Sequence, residues 1–310
     1  MGQFSRRQIC FSRCVALGIV WLIGVSTVNG QNKDIYSLLQ SSEHQVLVVA
    51  HMADPIAFPE NSLEGLQHCI NNGIDIAEVD VQRTRDGQLI LMHDHSLNRT
   101  TTGKGRVSHF DWKHIQGLYL RDRFKKPTQY RVPLLKDALM MARGKIVLNI
   151  DKAGTYTNEI LRLVKSLDCG PYVIMKGVVD LTRYEKLRQK SNNDPLFMPI
   201  VTTKTAAIDS FISLAKPLAM EILVSSDTTY LTSERGLQMF RSHGCHLWYN
   251  ALFDRISAGK SERKNKTASW DYFIGLGARF IQTDYPIELM NHLVSKGLRT
   301  RSAADPFLAD

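Results

Sequence analysis

Short apolar runs alternate with helix-like segments along most of the chain beyond residue 45. Short apolar runs are typical of buried strands, whereas apolar residues at every third or fourth position are typical of helices packed on a sheet. Such alternation predicts a parallel sheet with crossover helices. Four predicted strands end near the polar residues His51, Asp80, His93 and Asp151. Five more strands are predicted at 172–175, 197–201, 220–224, 246–250 and 279–283.

The number of these strands predicts the architecture. There are about nine, or eight and one short extra strand. We therefore predict a TIM (β/α)₈ barrel, in which eight strand-helix units close into a cylinder with the active site at the C-terminal strand ends. Residues 94–131 break the rhythm with the glycine-rich segment Thr100–Gly105 and a short capped helix at about 108–118. We expect a short insertion there, after the strand ending at His93, lying over the site.

The first thirty residues differ from the rest. Three arginines precede the apolar run Val15–Val25, which is followed by small and polar residues. This order is typical of a cleaved export signal, and the run is too short for a comfortable membrane span. We therefore expect a signal peptide at 1–30, a single domain at 31–310, a periplasmic or secreted location, and no stable membrane span after cleavage.

Composition narrows the class of partner. With 310 residues, 44% of them hydrophobic, the chain can form a large core, which excludes disorder. Removing residues 1–30 takes away three of 39 basic residues and lowers the formal charge from +9 to +6, which favours an anionic small-molecule substrate. The sequence has no basic stripe interleaved with aromatic residues, so we do not expect a nucleic-acid partner. Neither a disulfide framework nor a zinc site is predicted from the three mature cysteines, Cys69, Cys169 and Cys245.

The candidate chemistry centres on the strand Ile74–Val81. Side chains alternate in a strand, so Glu78 and Asp80 share one face, opposite the apolar face that we expect to join the core. Two carboxylates so close together repel unless a cation or a basic partner lies between them, and hard oxygen ligands suit Ca²⁺ or Mg²⁺. His51 and His93 end the predicted strands before and after this one, on their inward faces, and imidazole suits proton transfer near neutral pH.

A series of short motifs runs along the chain: His51, Pro59–Asn61, Glu78–Asp80, Thr84–Gly87, His93–Asp94, Arg99–Gly105, Trp248–Asn250, Gly277 and Thr283–Pro286. Together they resemble the glycerophosphodiester phosphodiesterase family, over about residues 46–293. The resemblance implies a barrel with a divalent metal, usually calcium or magnesium, and two histidines that act as acid and base on a phosphodiester.

The resemblance also implies a role for individual residues. Asp151 stands where the family usually has a glutamate ligand, and Lys152 resembles a phosphate-contacting lysine, although it directly follows Asp151 and alternation would turn it to the opposite face. Trp248 either packs in the core or forms a wall for the substrate alcohol. The implied set is therefore His51 and His93 as catalytic residues, Lys152 and Trp248 for the substrate, and Glu78, Asp80 and Asp151 for the metal.

Other polar residues are predicted to have local roles. Asn61, with Glu64 three residues later, is typical of a capping box and predicts that Asn61 caps the first helix after His51. Asp94 is interpreted as a loop residue. Asp284 precedes the helix-start signal Tyr285-Pro286 and is interpreted as a capping residue.

One departure from the family pattern affects function. The family usually begins its first motif with His-Arg-Gly, but this chain has His51-Met52-Ala53 and so lacks the phosphate-binding arginine. Lys152, Arg83 or Lys104 could replace it. Three hypotheses follow: a hydrolase that releases glycerol 3-phosphate and an alcohol, a lyase that forms a cyclic phosphate, and a metal-binding pseudoenzyme or binding protein. The sequence leaves the oligomeric state open.

Overall fold

The computed structural model describes residues 34–41, 45–151, 153–178, 180–192, 194–203 and 207–300. The signal peptide predicted for residues 1–30 and the phosphate contact predicted for Lys152 lie outside these ranges. Eleven strands form within them: β1 (Leu47–Ala50), β2 (Ile76–Arg83), β3 (Leu89–Leu91), β4 (Tyr119–Arg121), β5 (Pro127–Arg131), β6 (Val147–Asp151), β7 (Val173–Gly177), β8 (Leu196–Thr202), β9 (Ala219–Leu223), β10 (His246–Asn250) and β11 (Ala278–Thr283).

Eight of these strands close into a parallel barrel. The order around the sheet is β1, β11, β10, β9, β8, β7, β6, β2, and pairing of β1 with β2 completes the ring. The ninth strand of the sheet, β3, pairs antiparallel with β2 outside the ring. The predicted TIM barrel with one short extra strand is therefore confirmed.

Helices occupy the intervals between the barrel strands, as an alternating pattern requires. In the described part of the chain, no helix is both long enough and apolar enough to cross a bilayer. The helices are α1 (Ile35–Gln40), α2 (Leu63–Asn71), α3 (Trp112–Ile115), α4 (Leu135–Ala142), α5 (Thr157–Ser166), α6 (Leu181–Ser191), α7 (Ile208–Ala215), α8 (Glu234–Ser242), α9 (Lys266–Gly275) and α10 (Pro286–Ser295).

Strand alternation separates two apolar regions. Outward side chains such as Val48 and Val79 pack under the helices, while inward side chains such as Leu47 and Ile76 fill the N-terminal half of the barrel. Ile35 of α1 joins the inner group and is fully buried. Each such burial stabilises the fold by roughly 1.5–3 kcal/mol. The N-terminal half is thus a packed core, which leaves the polar C-terminal end for chemistry.

A buried ion pair fastens the N-terminal end of the barrel. Arg299 donates to the carboxylate of Asp75 at 2.5 Å, and their side chains are 5% and 0% exposed. The same carboxylate accepts the backbone N–H of Val48 at 2.9 Å. A buried charge without a partner is costly, so removing either Arg299 or Asp75 alone should destabilise this end of the barrel.

The stretch 94–131 forms the predicted insertion after β3. It contains the antiparallel pair β4 and β5 and a small core of its own that includes Leu97, Ile115 and Leu120. The single helix predicted at about 108–118 is wrong in detail. The backbone forms a 3₁₀ turn at Val107–His109 and resumes as the four-residue helix α3.

Candidate active site

Three carboxylates meet at the C-terminal end of the barrel. Glu78 and Asp80 face inward from β2, and Asp151 ends β6, where it pairs in register with Asp80. One oxygen from each of the three carboxylates lies within 4.8 Å of the others, and both β2 side chains are buried. The structure thus brings together all three residues predicted as metal ligands.

Asn61 holds one of these carboxylates rather than capping a helix. Its amide nitrogen donates to Oδ2 of Asp80 at 3.0 Å, and its Oδ1 accepts the backbone N–H of Asp80 at 2.8 Å. The predicted capping role of Asn61 is wrong, because the N-cap of α2 is Ser62, whose hydroxyl accepts from Gly65 N. Asn61 instead fixes the direction in which the Asp80 carboxylate points.

The loop after β1 holds the other β2 carboxylate. Met52, Ala53 and Asp54 have φ values of 46°, 57° and 65°, in the left-handed region that is costly for residues other than glycine. This conformation directs the backbone N–H of Met52 to Oε2 of Glu78 at 2.8 Å. The position where the family usually has arginine therefore contributes its main chain to the carboxylate cluster.

The donor set fits a hard divalent cation. Burial, followed by the charge of Asp80, raises the pKa of the Glu78 carboxyl to about 8. Beside Glu78 in register lies Asn149, fully buried, whose side-chain amide atoms have no hydrogen-bond partner among the described residues. Three crowded carboxylates and a spare amide oxygen are the oxygen ligands that Ca²⁺ and Mg²⁺ prefer.

His51 follows β1 directly and is anchored by a carboxylate from the other end of the chain. Its Nδ1 lies 2.7 Å from Oδ1 of Asp284, and its side chain is 12% exposed. Burial disfavours the imidazolium, but Asp284 and then Glu78 outweigh it and raise the pKa of His51 to about 9. The interpretation of Asp284 as a capping residue is wrong, because α10 begins at Pro286 without a side-chain cap.

His93 lies two residues beyond β3 and is oriented by a series of linked ion pairs. Its Nδ1 lies 2.7 Å from Oδ1 of Asp94. Arg99 donates to both oxygens of Asp94, at 2.8 and 2.9 Å, and to both oxygens of Glu60, at 2.5 and 2.8 Å. The Arg99 guanidinium, aided by His93, holds the pKa of Asp94 well below its usual range. Asp94 is thus more than the loop residue predicted, because it orients His93.

Trp248 belongs to the core. It is fully buried inside the barrel, where its ring stacks on Phe280 with centroids 5.1 Å apart. Its indole N–H donates to Oε1 of Gln282 at 3.2 Å. The prediction that Trp248 forms a wall for the substrate alcohol is wrong, because the ring has no exposed surface.

Two of the residues considered as replacements for the missing arginine, Arg83 and Lys104, have exposed side chains. Arg83 is on the outward face of β2, half-exposed, and forms an ion pair with Glu159 at 2.9 Å. Lys104 is exposed in the insertion, and Lys152 is outside the described residues. Neither Arg83 nor Lys104 therefore places a positive charge inside the barrel.

A parallel barrel with carboxylates and histidines gathered at its C-terminal strand ends is the arrangement of TIM-barrel enzymes. A family model, that of the glycerophosphoryl diester phosphodiesterase family, matches residues 51–286. Because this match spans most of the chain, the chain belongs to that family of phosphoric diester hydrolases. The resemblance seen in the sequence motifs is confirmed.

Individual relatives match this chain in sequence over part of their length. A glycerophosphodiester phosphodiesterase from Caldanaerobacter subterraneus is 34% identical over 128 residues, which are 40% of this chain and 53% of the relative. One from Bacillus altitudinis is 32% identical over 107 residues, which are 34% of this chain and 44% of the relative. The chain thus spans about half the length of these curated relatives.

Solved structures share the fold. A glycerophosphoryl diester phosphodiesterase from Parabacteroides distasonis matches with a TM-score of 0.73 at 22% identity, covering 89% of this chain and 96% of its own. A phosphodiesterase from Oleispira antarctica, solved with the product sn-glycerol-3-phosphate, matches with a TM-score of 0.61 at 16% identity, covering 80% and 96%. At these identities the likeness concerns the fold.

Proposed function

We propose that the protein hydrolyses glycerophosphodiesters to glycerol 3-phosphate and an alcohol. The observation that carries this proposal is the meeting of Glu78, Asp80 and Asp151 with the anchored His51 at one end of the barrel. The family membership and the product bound to the related Oleispira antarctica enzyme support the same substrate class.

Glu78, Asp80 and Asp151 would hold a divalent cation, Ca²⁺ or Mg²⁺. Bound there, such an ion supplies Lewis acidity at a phosphoryl oxygen and offsets the charge that develops on it. Asn61 and the Met52 backbone keep the Asp80 and Glu78 carboxylates directed inward. The protein thus prepares the ligand geometry before any substrate binds.

Proton transfer is assigned to His51 and His93. Each ring has a carboxylate against Nδ1, Asp284 for His51 and Asp94 for His93. This arrangement fixes the ring orientation and leaves Nε2 of each ring for an attacking water or a leaving alcohol. We assign the base and acid roles to His51 and His93 together, because the two rings follow different strands and can serve opposite sides of a phosphodiester.

The test is a panel of glycerophosphodiesters assayed with Ca²⁺, with Mg²⁺ and with a chelator, with the products followed by ³¹P NMR. We expect glycerol 3-phosphate to form in the presence of one of the metals and to stop with the chelator. The Asp80→Asn variant, purified in the same way, controls for contaminating enzymes. A cyclic phosphate as the first product would favour the lyase, and no turnover with intact metal binding would favour a binding protein.

We also propose that the chain is exported. The support is the order of basic, apolar and small residues within 1–30. Expression of the full chain in a secretion-competent bacterium and N-terminal sequencing of the product should show a mature protein that begins near residue 31. An unprocessed chain retained in the cell would contradict this proposal.

A further inference from the structure

A buried lysine lies beside the carboxylate cluster. Lys176 is on β7, where Val173 and Met175 point outward and Ile174 points into the barrel, so Lys176 also points inward. Lys176 is 2% exposed. The preceding residue, Met175, pairs in register with Ile150 of β6. Lys176 therefore stands at the same level as Asp151, one of the three clustered carboxylates.

Several contacts fix the ammonium group of Lys176. Its Nζ lies 2.9 Å from Oε2 of Glu221, 3.3 Å from Oε1 of Gln282, and 4.6 Å from the centre of the Trp248 ring. The other oxygen of Glu221 accepts from the Asn250 amide at 2.6 Å. A lysine side chain normally has much conformational freedom, and these contacts remove it before any ligand arrives.

The charge of Lys176 is directed toward the site. Burial disfavours its charged form, but the carboxylates of Glu221, Asp151 and Glu78 outweigh burial and raise its pKa. Lys176 also lines, with Asp151 and with Arg183 of α6, a cavity of about 350 Å³ at the C-terminal end of the barrel. The ammonium is thus anchored by Glu221 beside a cavity that Asp151 also lines.

The site needs such a cation. Three carboxylates and a divalent ion leave a net negative charge, which repels an anionic phosphodiester. Met52, where the family usually has arginine, brings no charge. Of the described barrel-strand residues that face inward, Lys176 is the one lysine or arginine, because Arg83 and Arg279 have outward parity.

We propose that Lys176 contacts the substrate phosphoryl group and takes the place of the missing arginine, with Glu221 as its positioning residue. This inference rests on the proposed function, since it concerns the same phosphodiester. A single ammonium gives a point charge where an arginine gives two parallel hydrogen bonds. A cation held by the three carboxylates and one lysine from the adjacent strand would then bind the phosphate together.

The test removes the positive charge without leaving a buried anion. Lys176→Met alone would leave Glu221 as a buried charge without its partner. The informative comparison is therefore Glu221→Gln against the Glu221→Gln/Lys176→Met double variant. The matched control is Asp75→Asn/Arg299→Met, which neutralises a buried ion pair at the opposite end of the barrel. The measurements are the melting temperature, kcat/KM on glycerophosphocholine, and calorimetric binding of inorganic phosphate and of Ca²⁺.

We expect the Lys176→Met step to weaken phosphate binding and to lower kcat/KM, each by about 10- to 100-fold, the effect of one hydrogen bond to a charged group. The ion-pair control should keep phosphate affinity and kcat/KM within about 2-fold of the wild-type values, because that pair lies at the opposite end of the barrel. Adding Met52→Arg to the double variant should recover about 10-fold of the loss, because the arginine approaches the same phosphate.

Two outcomes would overturn this role. If the double variant binds phosphate as well as Glu221→Gln does, Lys176 does not contact the anion. If it binds Ca²⁺ more tightly with unchanged phosphate affinity, Lys176 only compensates the carboxylate charge. A wild-type protein that binds phosphate but hydrolyses no glycerophosphodiester would instead contradict the proposed function, while the phosphate measurement would still test Lys176.

Discussion

The Nδ1 atom of His51 and the Oδ1 atom of Asp284 are 2.7 Å apart, although 233 positions separate the two residues in the chain. The contact exists because β1 and β11 are neighbours in the closed barrel, with Ala50 beside Thr283 in register. Each residue follows its strand by one position. Closure of the barrel thus assembles the pair, and neither strand could provide it alone.

Replacing Asp284 with asparagine should disable His51 while the barrel stays folded. The neutral amide can stabilise the wrong tautomer and no longer supports the imidazolium, so we expect kcat/KM to fall by about 10²- to 10⁴-fold. The pKa of His51 should also fall from its raised value, because Asp284 is a main cause of that rise. An unchanged rate together with an unchanged His51 titration by NMR would refute the contact's importance.

The candidate metal ligands can be tested by removing one charge at a time. Glu78→Gln and Asp80→Asn should each abolish tight Ca²⁺ or Mg²⁺ binding and turnover, because a hard cation needs anionic oxygens. Isothermal calorimetry measures the first effect. Asp271→Asn, at a surface carboxylate that pairs with Lys296, should leave binding intact. Equal metal affinity in all three variants would show that the ion binds elsewhere.

Both histidines should be required for turnover. His51→Ala and His93→Ala are each expected to lower kcat by about 10²- to 10⁴-fold with little change in melting temperature. His114→Ala, at an exposed histidine stacked on Phe110 in the insertion, serves as the control and should retain normal activity. A histidine whose loss leaves kcat near normal would have to be assigned a structural role.

Arg99→Met should alter both His93 and the acid stability of the protein. The pKa of Asp94 is lowered in the fold, so its ionised form stabilises the native state above the ordinary carboxyl pKa of about 4, and this contribution disappears as pH falls below that value. The variant should therefore lose less stability than the wild type between about pH 4 and pH 2, and its kcat should fall by about 10-fold as Asp94 loosens.

Urea unfolding across that pH range measures the effect of Arg99. The comparison variant is Arg143→Met, whose partner Asp168 is 89% exposed. That surface pair should contribute at most about 1 kcal/mol at any pH. If both variants showed the same pH dependence, Asp94 would not be titrating as the geometry requires.

Gly65 is predicted to be indispensable for steric reasons. A Cβ atom there would lie 2.2 Å from the carbonyl oxygen of Ala53, which is backbone and cannot turn aside. Gly65→Ala should cost about 2 kcal/mol of stability and displace the loop that carries Met52. Gly275→Ala, at a helical glycine with open space around it, should be neutral or slightly stabilising. Chemical denaturation of both variants decides the matter.

Much of the fold follows from local sequence. Apolar runs and their spacing predicted the barrel strands, and alternation predicted the inward faces of Glu78 and Asp80, since both rules depend on nearest neighbours alone. The boundary of one strand was short by two residues. The predicted strand at 172–175 ends before Lys176, whereas β7 continues to Gly177. That error concealed Lys176, although Ile174 already gave the inward parity.

The remaining features depend on contacts between distant segments. Asn61 and Asp284 each matched a helix-start pattern, and nothing local distinguishes a capping residue from one that reaches across the barrel to Asp80 or His51. Trp248 was ambiguous for the same reason, since its depth inside the barrel depends on how adjacent strands are staggered. Sequence patterns identify a face of an element but do not fix its height.

The left-handed backbone of Met52, Ala53 and Asp54 restricts which sequences this loop can accept. Branched side chains such as valine, isoleucine and threonine crowd this region of backbone space, and proline cannot enter it. A library randomised at these three positions and selected only for folding should therefore enrich glycine, asparagine and aspartate before any catalytic demand acts. Residues that a second selection for turnover enriches beyond that set would reveal the chemistry of the loop separately from its geometry.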